Sequence, residues 1–365
     1  MDARVILEKA FELGASDVHI SVGSAPAFRR HGALLPLDAP EWQGTLQIDP
    51  SYLEKMTPEL TEHLARQIIP EDRYKEFAAK GEIDFAYELE GIGRFRVNAF
   101  RQKGTVALAL RLINSQILSF QQLGLPEILA DLARLPRGMI LVTGPTGSGK
   151  STTLASMIDL INRESRCHIL TLEDPIEFVH THKKSLVNQR EIHQDSQSFA
   201  SALRAALRED PDVILVGEMR DPETIGIALT AAETGHLVLG TLHTSSAAQT
   251  IDRVIDVFPP HQQQQILVQL ANSIQGVVAQ QLIPRIDKPG RVVACEIMVA
   301  TPAIRNLIRE GKSYQIINQI QTGMKYGMVT LDMSLRNLVQ KRIIAREEAL
   351  NRATDPETLM RMLGP

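Results

Sequence analysis

A chain of 365 residues that is 44% hydrophobic and 22% charged has the composition of an ordinary globular protein and room for about two domains. Its formal charge of -4 supplies no broad basic field for a nucleic-acid backbone. The only cysteines, Cys167 and Cys295, stand too far apart for a C-x-x-C pair, so neither a zinc site nor a disulfide framework is expected, and a reducing compartment fits.

Asp2, Arg4, Glu8, Lys9 and Glu12 break any signal-peptide core, and no apolar run approaches the ~18 residues of a membrane span. A cytosolic protein is expected, with membrane contact only through a partner. Val5, Ile6, Leu7, Ala10, Phe11 and Leu13 predict a short amphipathic helix ended by Gly14. Val18 and Ile20 then alternate with polar residues as in a half-buried strand, and His19 reads as a structural histidine. A hairpin-like stretch over 27–37, helices near 58–67 and 71–80, and a strand-rich block over 83–112 complete a small mixed α/β domain, 1–112. Residues 113–125 lack a sustained period and read as a linker.

From 126 to 365 the pattern changes. The apolar run Met139, Ile140, Leu141, Val142 predicts a buried strand, and Leu154, Met157, Ile158 and Ile161 predict the helix after it. Between them lies a full G-x-x-x-x-G-K-[ST] pattern, with Gly144, Gly149, Lys150 and Ser151 at its fixed positions and Pro145, Thr146, Gly147, Ser148 and Thr152 completing the loop. Glycines let successive N–H groups face one point, to which the following helix directs its positive end, so the loop suits phosphate. Lys150 reaches for the β- and γ-phosphates, and the Ser151 hydroxyl suits magnesium. Further strands over 168–172, 212–216 and 237–241 alternate with amphipathic helices, which predicts a parallel sheet whose ligands lie beyond the strands' carboxyl ends. Glu177, Glu218 and His243 all follow such ends. The chain from Ala247 onward reads as mostly helical.

Hydrolysis needs an oriented water and stabilised phosphoryl charge. Glu218, at the end of an apolar strand, suits the role of holding magnesium or its waters. Glu173, Asp174 and Glu177 each offer a carboxylate to the attacking water. His236 and His243 are candidates to sense the γ-phosphate or bridge to a neighbouring subunit.

Together the loop at 144–152, the acidic box at 173–177, the stretch 207–218 and the histidine box at 234–244 resemble the secretion-type ATPases of type IV pilus and type II secretion systems. Residues 303–310, with Ala303, Ile304, Arg305, Asn306, Leu307, Ile308, Arg309 and Glu310, resemble a motif of that family's pilus retraction motors. The four-cysteine zinc element usual in extension and secretion motors has no counterpart here. The resemblance implies a PAS-like amino-terminal domain joined to a RecA-like ATPase domain with a helical end, using ATP and Mg2+. It implies a cytoplasmic homo-hexamer that acts on an inner-membrane pilus platform protein, alone or with a second retraction ATPase, in twitching motility or DNA uptake. It assigns Glu177 as general base, Glu218 as the magnesium-side glutamate, and Arg96 and Arg111 as charge-stabilising arginines, with Arg94 and Arg101 as alternates. The alternatives are an accessory retraction ATPase, an extension or secretion motor, a nucleotide-gated ring scaffold and a DNA motor. In 303–310, helical spacing expects Ala303, Ile304, Leu307 and Ile308 toward the core and Arg305 and Arg309 on an exposed face.

Overall fold

Apolar residues at every second position along Phe95, Val97 and Ala99 require a sheet with one covered face, and the computed structural model builds it. The structure describes residues 1–30, 32–42, 44, 47–113 and 117–364. These divide into two units, Met1–Ser115 and Gln116–Pro365. The first contains α1 (Ala3–Glu12), β1 (Asp17–Ile20), β2 (Ala27–Arg30), β3 (Ala33–Pro36), α2 (Pro58–Ile68), α3 (Glu71–Lys80), β4 (Glu82–Leu89), β5 (Gly93–Gln102) and β6 (Thr105–Ile113). Its six strands pair antiparallel in the order β3-β2-β1-β6-β5-β4. Asp2 and Thr57 cap α1 and α2 by accepting backbone N–H bonds, which fixes where those helices start. Ile6, Leu7, Leu64, Ile68 and Phe77 join Phe28, Phe95, Leu108 and Leu110 in one fully buried core.

The second unit contains α4 (Phe120–Leu123), α5 (Ile128–Ala133), β7 (Gly138–Thr143), α6 (Lys150–Glu164), β8 (His168–Glu173), β9 (Leu186–Glu191), α7 (Phe199–Ala206), β10 (Val213–Val216), α8 (Pro222–Glu233), β11 (Leu237–Leu242), α9 (Ala247–Asp256) and α10 (Pro260–Ser273). There follow β12 (Ile274–Pro284), β13 (Arg291–Val299), α11 (Pro302–Arg309), α12 (Ile316–Thr322), α13 (Leu331–Gln340), α14 (Arg346–Arg352) and α15 (Pro356–Leu363). The strands order β13-β12-β7-β11-β10-β8-β9, parallel except for β13. Every residue of β7, β10 and β11 is buried, as strands covered on both faces must be. Met139, Leu141, Ile214 and Val238 supply one core cluster, Ile140, Val142, Leu215 and Leu239 the other. No described helix is long and apolar enough to cross a membrane.

Four details differ from the sequence reading. The expected linker holds a capped turn of helix, α4, with Ser119 and Gln122 bonded reciprocally, while residues 114–116 lie outside the described residues. Strand β9 stands where none was read, because only Val187 and Glu191 of this edge strand are buried and it carries no apolar run. Strands β12 and β13 interrupt the region read as helical, with α9 and α10 before them and helices again after β13; Gly276, Gln280 and Gln281 mask the β-branched pattern of β12. Finally, Ile304 and Ile308 are buried, but Ala303 is exposed and Arg305 is not on an exposed face. Arg305 donates to the carbonyls of Ala271 (2.6 Å) and Asn272 (3.0 Å) at the end of α10 and to Gln275 Oε1 (2.9 Å). Burial, and then the charge of Arg309, lowers its pKa below the usual arginine value.

Arg305 therefore caps the carboxyl end of α10, and Arg305→Ala leaves its three oxygen acceptors without that partner. Loss of a part-buried cap of this kind costs about 1–3 kcal/mol. Thermal unfolding should show a lower midpoint for Arg305→Ala and an unchanged one for Arg309→Ala; equal midpoints would remove the distinction.

Candidate nucleotide site

The buried strand β7 ends at Thr143, and the chain must then turn sharply into α6. Gly144 has φ 140°, Gly147 77° and Gly149 91°, all in the region that disfavours a Cβ. At Gly144 space also forbids one: a Cβ would lie 2.3 Å from the Gln280 carbonyl and 2.7 Å from Ser148 Oγ. Gln280, on β12, fixes the loop from the side. Its Nε2 donates to the Ser148 carbonyl at 2.8 Å, and its Oε1 accepts from Thr153 Oγ1 at 3.0 Å. The Ser148 hydroxyl is buried and has no hydrogen-bond partner among the described residues, and no acidic side chain occupies the first turn of α6. Lys150 Nζ donates to the carbonyls of Gly144 (2.8 Å) and Pro145 (3.1 Å). Burial lowers the Lys150 pKa, while the charges of Glu218 and Glu177 oppose that shift.

The loop opens on a cavity of ≈ 380 Å³ whose lining includes Glu173, Asp174, Glu177, Glu218, Thr241, His243 and Arg291. The parallel strands β8, β10 and β11 deliver all of these groups but Arg291, which opens the antiparallel β13. Gly217 lets β10 and β8 approach, since a Cβ there would lie 3.0 Å from the Leu172 carbonyl. Glu218 Oε1 accepts from His243 Nε2 at 2.9 Å and from Arg220 Nε, whereas Oε2 has no protein donor among the described residues. A second cavity of ≈ 410 Å³, more apolar in character, adjoins the first and shares Gly149, Thr152, Leu282 and Arg291 with it.

Within the acidic box the structure separates three carboxylates that the residues alone left equivalent. Glu173 accepts from Thr171 Oγ1 (2.6 Å), Gln189 Nε2 (3.2 Å) and the Glu177 N–H, and burial followed by the nearby Glu177 charge raises its pKa. It is already occupied in shaping the turn. Asp174 faces His193, 3.9 Å away. Glu177 is exposed and lines the cavity with Lys150.

His236 is not brought to the cavity. It stands before Leu237 at the amino end of β11, where its Nδ1 lies 2.9 Å from the Ala231 carbonyl and its own carbonyl accepts the Gly138 N–H at 3.0 Å. The six residues of β11 separate His236 from His243, so one strand carries the pair to opposite sheet edges. Arg96 and Arg111 belong to the first unit, on neighbouring strands β5 and β6, where Arg111 pairs with Asp17. Sequence reasoning missed Gln189, Gln280 and Arg291. Their only sequence signal is polar residues within β-branched segments, and that pattern lacks a fixed spacing to any motif.

Residues 2–292 match the family described as type II/IV secretion system protein. The type IV pilus retraction ATPase PilT of Pseudomonas aeruginosa is 50% identical over 98% of this chain and 99% of its own length. A twitching motility protein of Neisseria gonorrhoeae is 50% identical over 92% of this chain and 86% of its own. The crystal structure of a pilus retraction motor PilT with bound ADP superposes with a TM-score of 0.89 at 46% identity, covering 99% of both chains.

Steric closure at Gly144 makes a sharp test. Gly144→Ala should lose nucleotide binding at least about tenfold while circular dichroism stays unchanged, because its Cβ meets backbone. Gly147→Ala, with nothing within 4 Å of the added atom, should lose less. Titration with a fluorescent ATP analogue reads both; normal binding by Gly144→Ala would refute the cradle.

Proposed function

The chain belongs to the type II/IV secretion system protein family, and from that premise we propose that it is an ATP-hydrolysing motor that powers type IV pilus retraction. The observation that carries the chemistry is the meeting of the phosphate loop, Glu177, Glu218 and His243 around one cavity. The loop N–H groups and Lys150 hold the β- and γ-phosphates, with Lys150 exchanging its carbonyl partners for phosphate oxygens. The adjoining cavity beside Leu118, Leu123, Leu282 and Arg291 takes the nucleoside. Ser151 and Glu218 are hard oxygen donors at the same cavity and fit Mg2+, with the partner-free Glu218 Oε2 as the acidic contact. Bound there, the ion would draw charge from the phosphoryl oxygens. Glu177 takes the proton of the attacking water. His243 orients Glu218 through the 2.9 Å bond. Arg96 and Arg111 add charge to the transferring phosphoryl group, a role worth about 10³–10⁵ in rate in other phosphoryl-transfer enzymes.

We assign His236, at the amino edge of the sheet, to contact with a neighbouring subunit of a homo-hexameric ring. The ring acts at the cytoplasmic face on an inner-membrane platform protein, and helix α11 carries the motion outward through Arg309 and Glu310, the exposed charges of its motif. A nucleotide-gated scaffold shares the loop but does not need a carboxylate kept clear for water, which Glu177 provides.

Glu177→Gln should bind nucleotide normally and turn over about 10²–10⁴-fold more slowly, whereas Lys150→Ala should lose binding. Wild-type turnover in Glu177→Gln would move the base elsewhere. Deletion of the gene should leave cells with excess surface pili by electron microscopy; bald cells would instead mean an extension motor.

A further inference from the structure

Residues 174–185, which join β8 to β9, form no helix or strand, so no ladder satisfies their backbone groups and these must find side chains or water. Glu177 stands in this segment. The partners come largely from the edge strand β9. Parallel register sets Gln189 opposite Thr171 and Glu191 opposite Glu173, and alternation along a strand puts Gln189 and Glu191 on one face.

Gln189 spends its whole side-chain amide there. Its Oε1 accepts the His180 N–H at 2.7 Å, while its Nε2 donates to the Phe178 carbonyl at 2.8 Å and to Glu173 Oε1 at 3.2 Å. Glu191 is 4% exposed, and a carboxylate so buried is costly unless donors meet it. Its Oε2 accepts the Ile176 N–H at 3.3 Å and its Oε1 accepts from Gln194 Nε2 at 2.5 Å. Glu173 accepts the N–H of Glu177 itself. The backbone is thus gripped one residue before Glu177, at Glu177 and one residue after it, by three side chains of the β8–β9 pair. Asn162 of α6 ties the later half of the segment separately: its Nδ2 donates to the Thr181 carbonyl at 2.8 Å and its Oδ1 accepts the Lys183 N–H at 3.0 Å.

We propose that Gln189 and Glu191 are positioning residues, which fix the backbone around Glu177 so that its carboxylate stays at the cavity of the phosphate loop. The proposal rests on the reading of Glu177 as general base and adds the groups that hold it in place. A displaced base slows the chemical step, whereas the phosphates are held by the loop and Lys150, so the effect falls on turnover and spares nucleotide affinity.

The test is a double-mutant cycle on the full-length protein, reading kcat and KM for ATP together with thermal unfolding. Gln189→Met, of similar length but without the amide's donors, should lower kcat about tenfold with KM nearly unchanged. In the Glu177→Gln background, where the base is already lost, it should cost nothing further. Glu191→Ala should also lower kcat, and Glu191→Gln, which keeps an oxygen for the Ile176 N–H, should recover most of that loss. Wild-type kcat in Gln189→Met alongside an impaired Glu177→Gln would overturn the positioning role, as would an equal loss in both backgrounds, which is what general damage to the fold produces. A raised KM with unchanged kcat would overturn it too. Wild-type turnover in Glu177→Gln would instead remove the general-base reading, and the positioning role with it. Should Gln189→Met fail to fold, the cycle runs with Gln189→Glu, which keeps an oxygen for the His180 N–H; its loss of kcat must vanish in the Glu177→Gln background, and additive losses or a wild-type kcat overturn the role.

Discussion

The close approach of two backbones at Gly144 is the constraint on which the catalytic unit depends. Strand β7 lies between β11 and β12, and its loop must pass within contact of the Gln280 carbonyl before α6 begins. No side chain fits there. The same approach places the Gln280 amide against the Ser148 carbonyl and Thr153, so the neighbouring strand fixes both the start of the helix and the curl of the loop. Buried apolar residues along β7, β10 and β11 then hold the other strand ends in register with it. The meeting of Glu218 and His243 is a product of that register.

Much of this was legible in the sequence, because the residues concerned obey short-range rules. A run such as Met139 to Val142 must be buried, and a glycine-rich turn before a helix has one geometry. What escaped obeys no local rule. Strand β9 is recognised as a strand only through its pairing with β8, and its functional contribution, Gln189 on Glu173, crosses between strands. Gln280 is a polar residue buried at 2% exposure inside a strand interrupted by glycine and glutamine. Arg305 looked exposed because helical spacing locates a face without saying what stands opposite it. Here the open carbonyls ending α10 stand opposite it.

The acidic box shows how neighbours divide labour among identical groups. Glu173 and Glu177 share a charge type and a segment, yet three donors and burial fix the first while the second stays exposed. The division comes from Thr171 and Gln189, which draw Glu173 inward. The turn is thereby shaped by one carboxylate and leaves the other at the cavity.

Lys150 bonds to the carbonyls of its own loop, which bears on how fast a ligand can be captured. With Gln280, which holds the Ser148 carbonyl, it ties the loop down by protein contacts. The conformational entropy of ordering the loop is therefore lost when the chain folds, not when a ligand arrives. Association then has no loop-folding step to wait for. Capture can then be governed by diffusion and by the exchange of two lysine hydrogen bonds.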